Sequence, residues 1–143
     1  MKPKKIFIIR PVRNVTEEIR AKIEDYITKL ETQGYKVYNP EQDNPYQKTD
    51  RVGTKIIEHN RRQMYMADEV HIWYDKSSIG SIFDIGMFFA LSRGDFKKFI
   101  VINSENIAPT PDKSFENVIL ALAKEFDNPI ADGLKERWAK YKK

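Results

Sequence analysis

The sequence predicts an α/β fold, with a mainly parallel sheet of about four to five strands flanked by helices in a single domain spanning residues 1–143. Three observations predict it. Short runs at positions 6–9 (Ile-Phe-Ile-Ile), 70–74 (Val-His-Ile-Trp-Tyr) and 98–102 (Lys-Phe-Ile-Val-Ile) are apolar at nearly every position, as in strands covered on both faces. Between them lie longer stretches whose apolar residues recur every three or four positions, the stripe of an amphipathic helix. Finally, 143 residues with no cysteine is near the modal domain size, and long enough to bury a core without disulfides.

The elements follow in order. Lys5 to Ile9 is the first strand, and Arg10-Pro11-Val12-Arg13-Asn14 is its polar exit. Asn14 is placed to cap the first helix, with Glu17 three residues on. Val15, Ile19, Ile23, Tyr26, Ile27 and Leu30 keep one apolar stripe, and Gly34 stands where a helix-ending glycine belongs. A second strand covers 35–38 and ends at Asn39-Pro40. Residues 41–50 are rich in Asn, Gln, Asp and Pro and read as a lid or binding loop. A second helix covers about 53–67, with Ile56, Asn60 and Met64 facing inward; the strand at 70–74 and a third helix over 81–92 follow. After the strand at 98–102, a helix over about 114–126 turns Phe115, Val118, Ile119, Leu122 and Phe126 to one side. A basic last helix at 131–143 carries Leu134, Trp138 and Tyr141. Strands alternating with helices give parallel pairing through right-handed crossovers, in a Rossmann-like or flavodoxin-like arrangement.

Composition excludes several classes of function. Without cysteine there are no thiolate metal sites, Fe–S clusters or cysteine nucleophiles, and two histidines leave little for a histidine-based metal site. No metal or cofactor is expected. No apolar run approaches the ~20 residues of a membrane helix, so no membrane partner is expected and the expected location is the cytoplasm. The net charge is +4, and the last ten residues, with five basic groups and one acid, account for all of it. A basic tail is a solvated feature rather than a working face, so nucleic acid is not the expected partner.

In a parallel sheet of this kind, ligands bind beyond the carboxyl ends of the strands. Three segments meet that description: 10–14, 39–50 and 75–84. The most informative reads Asp75-Lys76-Ser77-Ser78-Ile79-Gly80-Ser81-Ile82-Phe83-Asp84-Ile85-Gly86. Its amides around Ser78 to Ser81 are placed to hold an anion at a helix N-terminus, and Gly80 permits close backbone approach. The local pattern also fits a purely structural reading, with Ser81 as N-cap and Asp84 as its capping-box partner. Arg10 and Arg13 read either as a phosphate-binding pair or as solvated loop residues. Asn60, on an apolar helix face, reads as bonding to the loop after the first strand, to Asp68 or to a buried carbonyl. His59 and His71 show no partner in the sequence, and neither is given a catalytic role. Tyr38, Tyr46, Tyr65 and Trp73 read as base-stacking or core residues.

The first strand with its polar loop, the Tyr38-Asn39-Pro40 strand end, the helix ending Met66-Ala67-Asp68-Glu69-Val70 and the Ser-Ile-Gly-x-x-Phe-acid-Ile-Gly stretch at 78–86 occur in an order that resembles the nucleoside 2-deoxyribosyltransferase superfamily. The resemblance covers about residues 4–103 and is greatest to the 2′-deoxynucleoside 5′-phosphate N-hydrolases. It implies cleavage of the N-glycosidic bond of a nucleotide or deoxynucleotide, by hydrolysis or transfer, through a carboxylate nucleophile. It also implies a homodimer. Ser78 matches the family's phosphate-binding serine, Asp84 its glutamate nucleophile, and Asp75 falls near an aspartate that lies close to the base. The expected site is therefore catalytic Asp84 and Asp75, with Ser78, Gly80, Ser81, Arg10, Arg13, Asn39 and Pro40 binding substrate. The chain departs from the family in having aspartate at position 84 and Arg-Pro in the first loop, where Gly-Pro or Gly-Ser is usual. The alternatives are a nucleotide-binding module of the same fold with altered catalysis, and an interaction domain using the basic tail.

Overall fold

A computed structural model describes residues 2–95 and 97–125. The expected helix at 131–143, with Phe126, Leu134, Trp138 and Tyr141, lies outside the described residues. Four strands, β1 (Lys5–Ile9), β2 (Lys36–Tyr38), β3 (Glu69–Ile72) and β4 (Lys98–Val101), pair in the order β2-β1-β3-β4, every pair parallel. The helices are α1 (Glu17–Thr32), α2 (Pro40–Asp43), α3 (Thr54–Met66), α4 (Ile79–Ser92) and α5 (Phe115–Glu125).

The doubly apolar runs become the two central strands. Ile6, Phe7, Ile8 and Ile9 of β1 are all buried, as are Val70 and Ile72 of β3. On β4, Phe99 is buried while Ile100 and Val101 are partly covered, as befits an edge strand. The side chains divide by face. Phe7, Ile9, Val70, Ile72 and Phe99 pack with Met64 of α3, Ile85 and Phe88 of α4, and Ile119 and Leu122 of α5. On the other face, Ile6 and Ile8 pack with Ile23, Ile27 and Leu30 of α1. Each fully buried residue of this size contributes roughly 1.5–3 kcal/mol of burial.

Helix ends differ from the sequence expectation in two places. α1 is capped by Thr16, whose hydroxyl accepts from the Ile19 amide at 3.2 Å, while Asn14 takes a left-handed turn with φ 56°. The polar segment after β1 therefore remains loop for two more residues, to Thr16. α4 begins at Ile79 rather than 81, because Ser78 is its cap. Gly34 ends α1 as expected: its φ is 95°, its amide reaches Glu31 O at 3.0 Å, and Tyr35 N reaches Leu30 O at 3.1 Å, a Schellman closure. The expected loop at 41–50 contains the short helix α2 and is held down at both ends, as described below.

From β1 the chain crosses by α1 to β2 on one side, then returns by α3 to β3 on the other. The strand order reverses between β1 and β3, and the crevice at such a switch point is where parallel sheets bind ligands. It is framed by the segments that leave β1 at Arg10 and β3 at Trp73.

Candidate functional site

The exit of β3 is fixed by backbone pairing. Trp73 N donates to Ile9 O at 2.9 Å, which prolongs the β1–β3 ladder by one rung. At Tyr74 the fully buried Asn103 takes over: its Oδ1 accepts from Tyr74 N and its Nδ2 donates to Tyr74 O, both at 2.8 Å. The turn then closes on Asp75, whose Oδ1 accepts from Ser77 N at 2.9 Å and Ser77 Oγ at 2.7 Å. Asp75 O accepts from Ser78 N at 2.9 Å, and α4 starts there.

Ser78 caps α4. Its Oγ accepts from Ser81 N at 3.3 Å and donates to Ser81 Oγ at 2.9 Å. The capping reading is thereby corrected: the cap is Ser78, Ser81 is its partner, and Asp84 stands one full turn too far along to take part. Three hydroxyls (Ser77, Ser78 and Ser81) compete for the same role, and the Asp75 turn decides among them. The Ile79 and Gly80 amides have no backbone partner, as at any helix start. A Cβ at Gly80 would meet nothing within 4 Å, so this terminus is open.

Ser81 stands three residues after Ser78 and Asp84 three after Ser81, so each neighbours the one before it on the helix surface while the file drifts by about 60° per step. Ser81 is buried and Asp84 partly buried, next to the buried Ile85 and one turn before Phe88. Among the described residues Asp84 has no hydrogen bond and no ion pair. Burial without a compensating partner pushes its carboxyl up to about 7. This is the one strongly raised acid among the described residues, and it lies on the line that leads from the open helix terminus.

Asp75 lines an open hollow of about 510 Å³ with Trp73, Tyr74, Lys76, Asn106 and Glu116. Asp84 does not line it. Within this hollow, burial first, and then the neighbouring Glu116 charge, raise the Tyr74 phenol.

The first loop is arranged differently from a paired phosphate clamp. The Arg10 side chain is fully buried. Its Nη1 donates to Glu24 Oε1 at 2.9 Å and Asn39 Oδ1 at 3.5 Å, its Nη2 lies 2.7 Å from Glu41 Oε2, and its Nε donates to Pro11 O at 3.3 Å. Arg20 pairs with the same Glu41. The protein's own carboxylates thus occupy the Arg10 guanidinium. Arg13 is exposed and has no partner among the described residues. Asn39 and Pro40 are buried: Asn39 N donates to Asp43 Oδ2 at 2.8 Å, and Pro40 opens α2.

The 44–53 segment is stapled to α3. Asn44 Nδ2 donates to Asn60 Oδ1 at 2.9 Å and to Ile56 O at 3.1 Å. The partner of Asn60 is thus neither the first loop nor Asp68, which instead accepts from Lys5 N at 2.8 Å. The Gly53, Ile56, Lys55 and Val52 amides gather on Asp50 and hold its carboxyl below its ordinary range.

The sequence showed no partner for His71, and the structure supplies two. Tyr26 Oη lies 2.6 Å from Nδ1, and Glu69 Oε1 lies 2.9 Å from Nε2. Burial pushes the Tyr26 phenol up to about 12, so it stays protonated and donates; Nε2–H then donates to the carboxylate. Burial lowers the His71 pKa despite Glu69. Neither this chain nor the Asn103 clamp was foreseen. The available signals were a polar residue inside an apolar strand and an asparagine directly after the last apolar run. Tyr38 stacks on Phe7 at 5.4 Å, Trp73 is buried, and Tyr46 and Tyr65 are exposed. Among the described residues no group of three or more His, Asp or Glu side chains is arranged to hold a metal, and no helix is long and apolar enough to cross a membrane.

The fold has a known counterpart. A Clostridium botulinum CMP N-glycosidase, BcmB, superposes with a TM-score of 0.53 over 97% of this chain and 98% of its own, at 22% sequence identity. At that identity the likeness is one of fold. No protein-family model and no curated protein sequence matches the chain.

Proposed function

We propose that this chain cleaves the N-glycosidic bond of a nucleoside 5′-monophosphate, with Asp84 as the carboxylate beneath the anomeric carbon. The observation that carries the proposal is Asp84 itself: an acid with no partner, partly buried, on the inner line of the helix that opens at the switch-point crevice. The full-length fold likeness to a glycosidase that acts on CMP supports it.

In this reading the C1′–N bond breaks with its electron pair leaving on the base, which takes up a proton. The sugar becomes oxocarbenium-like, and the ionised Asp84 stabilises it or bonds to C1′. Water then attacks C1′, and free base and sugar 5-phosphate are released. The Ser78 hydroxyl and the open Ile79 and Gly80 amides hold the 5′-phosphate, assisted by the α4 dipole. Arg13 is the loop cation left to reach that phosphate, while Arg10 shapes the loop through Glu24 and Glu41. Asp75 lies toward the base. No metal or cofactor takes part.

The test is incubation with ribo- and deoxyribonucleoside monophosphates, with free base separated chromatographically. Base release that is lost in Asp84→Asn is the expected result. No release from any of them, or full release by Asp84→Asn, overturns the assignment. Thermal stabilisation by a nucleotide without base release selects the binding-module reading, which the short aspartate side chain at position 84 favours.

A further inference from the structure

One hollow takes no part in the proposed chemistry. It measures about 390 Å³ and lies between the exposed side of α3 and the segment that follows α2, lined by Tyr46, Thr54, Lys55, Glu58, His59 and Arg62. It shares no residue with the hollow beside Asp75 or with the stretch from Ser78 to Asp84. Its shape is fixed. Asn44 Oδ1 accepts from Tyr46 N at 2.9 Å while Asn44 Nδ2 holds Asn60 and Ile56 of α3. On the far side of Tyr46, Asp50 Oδ2 accepts from Lys55 N at 2.8 Å and Ile56 N at 3.2 Å. With these first amides of α3 taken by Asp50, a ligand in the hollow is held by side chains.

The lining divides into rings and cations. The His59 ring stands between two tyrosines. Its centroid is 5.9 Å from that of Tyr38 and 5.9 Å from that of Tyr46, which it meets nearly edge to face at 72°. Tyr46 is 38% exposed, so this ring is anchored through its backbone yet keeps open surface. Lys55 Nζ lies 5.9 Å from the centre of the Tyr46 ring and has no ion pair among the described residues. Glu58, the one acid of the hollow, is engaged by Arg61 at 2.6 Å and reaches Arg62 at only 4.0 Å. The hollow is therefore net positive. Lys55, His59 and Arg62 stand at i, i+4 and i+7, neighbours in turn along one side of α3. A cation thus lies on either side of the His59 ring.

We propose that this hollow is a second site, which binds a nucleoside phosphate with the base against the Tyr46 and His59 rings and the phosphate on Lys55 and Arg62. Each half of such a ligand meets its own chemistry. Every base has a π-face, and aromatic side chains stack on it whatever the base. An ammonium attracts a phosphate as a point charge, and a guanidinium grips it with two parallel bonds. A bare inorganic anion has no use for the rings, and an uncharged aromatic ligand has none for the two cations. With a cation on either side of His59, a base lying on the rings keeps its phosphate within reach of one of them. The volume falls within the roughly 300–1,000 Å³ of small-molecule sites. The site does not rest on the glycosidase reading, since nothing in it involves Asp84.

The probe is pseudouridine 5′-monophosphate, whose carbon–carbon glycosidic bond an N-glycosidase leaves intact. The chain has two histidines, so its proton spectrum holds two imidazole C2–H signals, and His59→Gln assigns them. Titration of the full chain should move the His59 signal saturably and leave that of the buried His71 in place. Pseudouridine without phosphate, and inorganic phosphate alone, should each bind at least about tenfold more weakly. Lys55→Glu combined with Arg62→Glu, and separately Tyr46→Ala, should weaken the response by about tenfold or more with an unchanged circular dichroism spectrum. Ser78→Ala lies outside the hollow and should leave the response within about twofold. A His59 signal that does not move overturns the proposal. So does a response that inorganic phosphate gives equally well, one that survives both the charge reversal and Tyr46→Ala, or one that is lost in Ser78→Ala, which would make the two sites one. Base release is read separately on the wild-type chain, and its absence overturns the glycosidase reading while the His59 response decides this one.

Discussion

The Asn103 carboxamide pairs with both backbone groups of Tyr74, at 2.8 Å in each direction. A side chain from the end of β4 thereby acts as one further residue of strand for β3. It sets where the chain turns at Asp75 and so where α4 begins.

Asn103→Ala removes both bonds and leaves a buried amide and carbonyl unpaired. At 1–3 kcal/mol per buried group, the expected loss of stability is about 2–4 kcal/mol by urea denaturation. Hydrogen exchange at the Tyr74 amide should accelerate beyond the global change. A variant within about 0.5 kcal/mol of wild type, the scatter of an ordinary surface change, would show that the clamp is idle.

For catalysis Asp84 must be ionised. Its carboxyl sits at about 7, so kcat/KM should rise with pH and level off above that value. A profile that falls through the same region would instead make Asp84 a proton donor and remove it as nucleophile.

The same carboxyl links stability to pH. Its folded pKa lies above the unfolded value of 3.8, so the folded state binds the proton more tightly. Stability is therefore lost as pH rises from about 4 through about 7, by at most on the order of 4 kcal/mol. Asp84→Asn mimics the protonated form and escapes that loss. Its melting temperature should match wild type near pH 4 and exceed it by several degrees at pH 8.5. Equal melting temperatures at both pH values would place the carboxyl in water.

Arg10→Ala tests whether the buried guanidinium is structural. Glu24 and Glu41 would lose their shared cation, and both keep some solvent contact. The expected cost is about 2–3 kcal/mol, below the 3–5 of a fully buried pair. Unchanged stability with a raised KM for nucleotide would return Arg10 to the ligand.

Much of the architecture was legible in the residues. Ile6 to Ile9 is apolar at successive positions, the pattern of a short strand covered on both faces, and it lies buried within the sheet. The α1 stripe and the Gly34 closure were readable because helix periodicity and positive φ act over a few residues. The Ser78 to Asp84 line was legible as a stretch of interest, but not its cap, since neighbouring hydroxyls offer nearly equal local solutions.

What only the tertiary structure decided is who meets whom. Arg10 joins Glu24 and Glu41, His71 sits between Tyr26 and Glu69, Asn44 takes Asn60, and Asn103 takes Tyr74. Most of these pairs lie far apart in sequence and carry no periodic signature. Their partners are set by the strand order β2-β1-β3-β4, which places the exits of β1 and β3 side by side. Local propensity specifies elements through short-range sterics and hydrogen bonds. The burial that lifts Asp84 to about 7 is a sum over packed neighbours and exists only once the layers have closed.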